Sequence, residues 1–180
     1  MVVISNFPGL NSKLAVDLLA HDAALAVRGA QIDALNGLAS KTRYGMHFDS
    51  SVGAVPSSPN NEKIIEFQDS PTAGVVGAYD SGEDVATSLF QRGDIIEKVC
   101  RKRIGESMMC GPATITTLDI LFVRPSPDAI MNGNGRAAGE TNYAEAAVLF
   151  SGSDATPEKC MHVYLTGQVS VTVAVAHSCQ

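Results

Sequence analysis

The acids between Asp69 and Asp84 are the first residues whose types and spacing could do chemistry. Asp69, Asp80, Glu83 and Asp84 fall within sixteen positions, interleaved with Gly74, Gly77 and Gly82. Hard cations such as Ca²⁺ take roughly six to eight oxygen ligands, and a short acidic loop with glycines can wrap one. The spacing departs from the EF-hand pattern, because Ser70-Pro71 follows Asp69 and the intervening residues are apolar. A solvated turn at Tyr79-Asp80-Ser81-Gly82 is the simpler reading. Calcium held by the four acids is the sharper one.

The histidines stand at 21, 47, 162 and 177. His162 follows Cys160 by two, so on a strand both side chains share a face. A Cys–His metal pair fits that spacing, and so does a disulfide beside an ordinary strand histidine, which is the reading preferred. His47 precedes Phe48-Asp49 at a strand end, where a surface histidine is common. A hydrolase would require His47 or His162 to meet an acid and a nucleophile in a pocket. The chain has no G-x-S-x-G, H-E-x-x-H or phosphate-loop motif. The glycines of NGNGRAAG at 132–139 follow no strand-to-helix turn. No catalytic or cofactor-binding residue is assigned on these patterns.

The cysteines carry more information. Cys100, Cys110, Cys160 and Cys179 are even in number and contain no C-x-x-C pair, whereas zinc sites usually need at least one close pair. Two disulfides in an oxidising compartment fit better than four free thiols in the cytosol. Of the three connectivities open to four cysteines, nearest-neighbour pairing is expected: Cys100 with Cys110 and Cys160 with Cys179. Each pair flanks a turn or hairpin.

Composition bounds the function classes. The chain has 180 residues, 45 % hydrophobic and 18 % charged, with a net charge of −6. That suits one domain with a sizeable core and argues against disorder. Unaided nucleic-acid binding needs clustered Lys and Arg. The one basic cluster, Lys98, Arg101, Lys102 and Arg103, reads as a charged loop at a strand end, so no nucleic-acid partner is expected. No stretch is long enough to span a bilayer. Residues 1–8 (MVVISNFP) begin apolar and stop too soon for a signal-peptide core. An exported chain with no export signal implies a truncated or missing native N-terminus.

The elements that position these residues follow from periodicity. Residues 11–40 read as one helix, with Asn11 and Ser12 as N-cap candidates. Leu14, Leu18, Leu25, Ile32 and Leu35 form the face expected against the core, opposite Lys13, Asp17, His21, Arg28 and Gln31. Its many alanines permit close packing, and Gly29 and Gly37 mark a bend or an end. Strands are expected at 44–48, 63–68, 94–101, 114–124, 145–151, 160–165 and 168–175. The strand at 114–124 is apolar on both faces, as a central strand should be. Thr166-Gly167 is the expected hairpin turn between the last two. One helix followed by six or seven strands predicts an α+β fold, with a single antiparallel sheet region packed on one side of the helix.

Several stretches together resemble type IV pilin-like proteins, and minor pseudopilins of type II secretion in particular. The helix at 11–35 (NSKLAVDLLAHDAALAVRGAQIDAL) resembles the exposed half of the pilin helix, followed by YGMHFD at 44–49. AYDSGEDV at 78–85 resembles an acidic loop of such proteins, without the fuller D-x-N-x-N-G lead. LDILFVRPSPDAIMNGNG at 118–135, EAAVLFSG at 145–152 and HVYLTGQVSV at 162–171 resemble the later strands and closing hairpin. The hydrophobic half of the family's N-terminal helix and its cleavage site are missing, with residues 1–10 as a remnant of that region. The resemblance implies a single pilin-like domain over 1–180, with helix 11–40 and a β-rich head at 41–180. It further implies a non-enzymatic structural subunit of a pilus or pseudopilus, extracellular or periplasmic. Its partners would be other pilin or pseudopilin subunits. The full-length form would be anchored in the inner membrane before assembly. Loops 49–61, 69–84, 101–112 and 126–142 would be the contact surfaces. A secreted adhesin module with a calcium-stabilised acidic loop is the alternative.

Overall fold

The computed structural model describes residues 8–37, 43–53, 59–70, 77–90, 93–134, 143–152 and 158–180. The expected remnant at 1–7, the last residues of the expected helix at 38–40, Gly74 and the 135–139 part of the glycine-rich stretch lie outside the described residues.

Helix α1 (Pro8–Asn36) opens on a proline, whose fixed φ and missing N–H suit a first turn. It runs through Gly29 and stops at Gly37, whose N–H reaches Asp33 O at 2.9 Å. Ten strands follow among the described residues: β1 (Arg43–Asp49), β2 (Lys63–Gln68), β3 (Asp84–Leu89), β4 (Ile95–Arg103), β5 (Met109–Cys110), β6 (Thr117–Val123), β7 (Ala129–Gly133), β8 (Tyr143–Ser151), β9 (Glu158–Tyr164) and β10 (Val169–Val173). Among the described residues they form two antiparallel five-stranded sheets. The first has the order β3-β2-β1-β6-β7 and the second β10-β9-β8-β4-β5.

This corrects the expected fold. The single sheet region of six or seven strands on one side of the helix, the pilin-like arrangement, is replaced by two sheets that both pack against α1. Three strands lacked an apolar signal. All of β3 is solvent-exposed, β5 has two residues, and β7 reads AIMNG with turn-forming residues at its end. The division into two sheets depends on long-range pairing, such as β1 with β6, which no local pattern encodes.

One core unites the three layers. Met46, Phe48, Leu118, Ile120 and Phe122 from the first sheet meet Val99, Val148, Phe150, Met161 and Val163 from the second. The helix face turned to them is made of Val16, Ala20, Ala23, Ala24, Val27, Ala30 and Ala34. This is a second correction, because the leucine face expected to be inside is outside. Leu14, Leu18, Leu25 and Ile32 are 55 to 62 % exposed. Small side chains let the helix axis come close to both sheets at once. The leucines would hold it off.

Side chains alternate along the strands, so each sheet also has an outer face. On the first sheet Ile65, Phe67 and Leu121 are buried there, along with Ala78 of the acidic segment. On the second, Cys100, Leu149, Cys160 and Cys179 form a separate small core under the C-terminal tail.

Candidate functional sites

Residues 77–84 of the acidic segment lie on the outer face of the first sheet, with the Tyr79 ring against Phe67 and His47. Asp69 is buried, pairs with Arg43 Nη1 at 2.9 Å and accepts the N–H of Gly77 at 3.2 Å. Glu83 accepts the N–H groups of Ser70 at 2.8 Å and Asp80 at 3.0 Å, one on each oxygen. Asp84 accepts the Tyr79 hydroxyl at 2.5 Å. Burial first, and then this bond to Asp84, push the Tyr79 phenol well above its ordinary range. The carboxylates of Asp69, Glu83 and Asp84 are thus each engaged by protein donors. Among the described residues the four acids do not bring three donor atoms together as a metal site does. What they do is close a turn over the sheet.

Beneath that turn lies a pair that the sequence reading missed. His47 Nδ1 stands 2.6 Å from Asp119 Oδ1, directly across the β1–β6 pairing, and Asp119 is 1 % exposed. The His47 ring packs on Tyr79 at 4.5 Å between centroids. Both line a small cavity of about 160 Å³ with Asp49, Asn60, Lys63 and Ile65. The signal for Asp119 was one acid inside an otherwise apolar central strand, LDILF.

His162 meets Glu145 Oε1 through Nδ1 at 2.8 Å and Thr172 Oγ1 through Nε2 at 3.0 Å. An acid, an imidazole and a hydroxyl in series have the order of a nucleophilic relay. The ring is nevertheless only 4 % exposed, and both its nitrogens are satisfied, as a histidine inside a sheet requires. His21 is on the exposed side of α1, and His177 lies in the C-terminal tail.

Both expected disulfides exist. Cys100 is bonded to Cys110 and Cys160 to Cys179. They mark a non-cytoplasmic, oxidising compartment. The Cys–His metal pair at 160 and 162 does not arise, since Cys160 is in a disulfide. The basic cluster is matched by acids: Arg101 and Arg103 face Glu106, Lys102 faces Glu145 and Lys98 faces Glu97. Among the described residues no helix is long and apolar enough to cross a membrane.

A groove of about 730 Å³ lies between the outer side of α1 and the edge of the first sheet. Leu14, Leu18, Ile64, Leu89 and Phe90 contribute to its lining. Among the described residues strand β3 forms the sheet edge there, paired with β2. Leu18, Leu25 and Ile32 recur at intervals of seven, so a ridge of apolar side chains continues from the groove along the helix. From Leu14 to Ile32 it is roughly 27 Å long at the helical rise. Comparison of the chain with protein-family models, with curated proteins and with solved structures gives no match in any of the three.

Proposed function

We propose that the protein is a non-enzymatic structural subunit, a minor pilin or pseudopilin, of a type IV pilus or type II secretion pseudopilus. The observation that carries this reading is the ridge of Leu14, Leu18, Leu25 and Ile32 held in solvent on the outer side of a helix that already has an apolar inner face. Such a ridge, with sevenfold spacing, suits a helix of a neighbouring subunit, packed as the knobs of one helix into the holes of another. Among the described residues β3 is the edge strand beside it, and an edge strand offers backbone groups to the same neighbour. The two disulfides suit service outside the cytoplasm, extracellular or periplasmic, with an apolar N-terminal segment of the full-length form as the anchor before assembly. The order of motif-like stretches along the chain is the further support. The alternative, a secreted adhesin module with calcium in the acidic loop, is less favoured because among the described residues those acids do not bring three donor atoms together.

The test is to cross-link cells of the native host, collect sheared surface filaments together with the cross-linked assemblies of the cell envelope, and probe that fraction for this protein. Wild type is expected there, and Leu18→Glu and Leu25→Glu are expected to leave it without a change in expression or melting temperature. Wild type found wholly in the soluble fraction would overturn the subunit reading.

A further inference from the structure

We propose that Glu97, Glu158 and His177 form a site for one divalent transition-metal ion of the zinc type, which fastens the C-terminal tail to the outer face of the second sheet. One donor atom from each of the three residues lies within 4.8 Å of the others. Three separate elements bring them together. Glu158 opens β9, and its side chain is only 8 % exposed although it carries a carboxylate. Glu97 arrives through a β-bulge. Ile96 pairs with Phe150 and Lys98 with Leu149, which leaves Glu97 as the extra residue of β4. A bulge re-aims a side chain that regular alternation would send to the other face. His177 comes from the tail, where Ala176 and His177 take φ values of 49° and 58°. Non-glycine residues rarely adopt this left-handed region. The bridge between Val175 and Ser178 and the bond from Cys160 to Cys179 enclose that turn and hold His177 Nδ1 against Glu158 Oε1.

The donor set selects the ion. One imidazole and two carboxylates suit zinc and its neighbours, whereas calcium asks for oxygens alone. Around tetrahedral zinc, ligand atoms at about 2.0–2.2 Å from the ion stand about 3.3 Å from one another. The remaining closure is therefore about 1.5 Å at most on that geometry, and the partly exposed Glu97 and exposed His177 side chains are the ones free to make it. A three-residue set leaves the fourth position to water. Among the described residues the cation in contact with the cluster is Lys98, whose Nζ donates to His177 O at 3.1 Å and lies 3.3 Å from Glu97 Oε1. It pins the tail, yet two carboxylates against one ammonium leave net negative charge for a divalent ion to meet.

The experiment is calorimetric titration of the oxidised, chelator-stripped protein with zinc, with thermal melting in parallel. One ion per chain and a raised melting temperature are expected, with no response to calcium. His177→Ala and Glu158→Gln should each weaken zinc binding at least tenfold, while His21→Ala keeps it. His177 is exposed, so its variant decides the matter even if Glu158→Gln folds poorly. Absence of zinc binding, or equal binding by wild type and His177→Ala, would overturn the site.

Discussion

Glu66 shows how a single side chain can make stability depend on pH. It pairs across β1–β2 with Met46, a core residue, and therefore points to the helix side of the sheet. Burial first, and then the charge of Asp33 on α1, raise its pKa above the ordinary 4.5. The folded state thus holds this proton more tightly than the unfolded chain does. The ionised form is penalised, so stability falls as pH rises from 4.5 through the folded pKa and stays lower above it. Glu66→Gln removes the penalty. Its melting temperature should exceed that of wild type at pH 7 and match it near pH 4. An equal gain at both pH values would mean that packing, not charge, is responsible. Single residues were legible in the sequence where covalent chemistry fixed them, as with the cysteines. They were illegible where a partner came from a distant strand. Asp119 lies 72 positions from His47, and Glu97 reaches its cluster through a bulge that no spacing rule announces.

At the scale of the element, α1 has two apolar faces, and periodicity alone does not say which one turns inward. The pattern of large side chains favoured Leu14, Leu18, Leu25 and Ile32, whereas packing chose the alanine and valine face because two sheets must reach one helix. The choice can be tested with three substitutions. Val27 is fully buried, so Val27→Ala should cost roughly 2 kcal/mol in cavity and lost contact. Leu25 is 61 % exposed, so Leu25→Ala should change stability by no more than about 0.5 kcal/mol. A Cβ added at Gly29 meets nothing within 4 Å, so Gly29→Ala should stabilise by about 0.5–1 kcal/mol through helix propensity. Chemical denaturation measures all three, and a Leu25→Ala cost equal to that of Val27→Ala would contradict the helix orientation. The strands were read from alternation and apolar runs, which explains why β3 was missed: its stability comes from backbone pairing with β2 and not from burial.

For the whole molecule, the division of labour between the two disulfides is the feature most open to measurement. Both act on the outer face of the second sheet, where Cys100, Cys160 and Cys179 are buried around Leu149. The loops they close span 10 and 19 residues. Loop entropy rises only with the logarithm of length, so each bond should stabilise the fold by about 3 kcal/mol, the longer loop exceeding the shorter by about 0.6 kcal/mol. The global effects are nearly equal, yet the local ones differ. Cys100–Cys110 joins paired residues of β4 and β5, which already share a ladder. Cys160–Cys179 is the covalent hold on a tail whose other contacts among the described residues include the Ala174 N–H to Glu158 O at 3.3 Å, the Val175–Ser178 bridge, Lys98 to His177 O and His177 to Glu158. The Cys160→Ala/Cys179→Ala double variant should therefore lose hydrogen-exchange protection at residues 174–180 well below its melting temperature. The Cys100→Ala/Cys110→Ala variant, equally destabilised, should keep it. Should both variants open the tail to the same degree, the tail would be held by the sheet as a whole and not by its own bond. Should neither do so, the hydrogen bonds of Lys98 and His177 would be the stronger fastening.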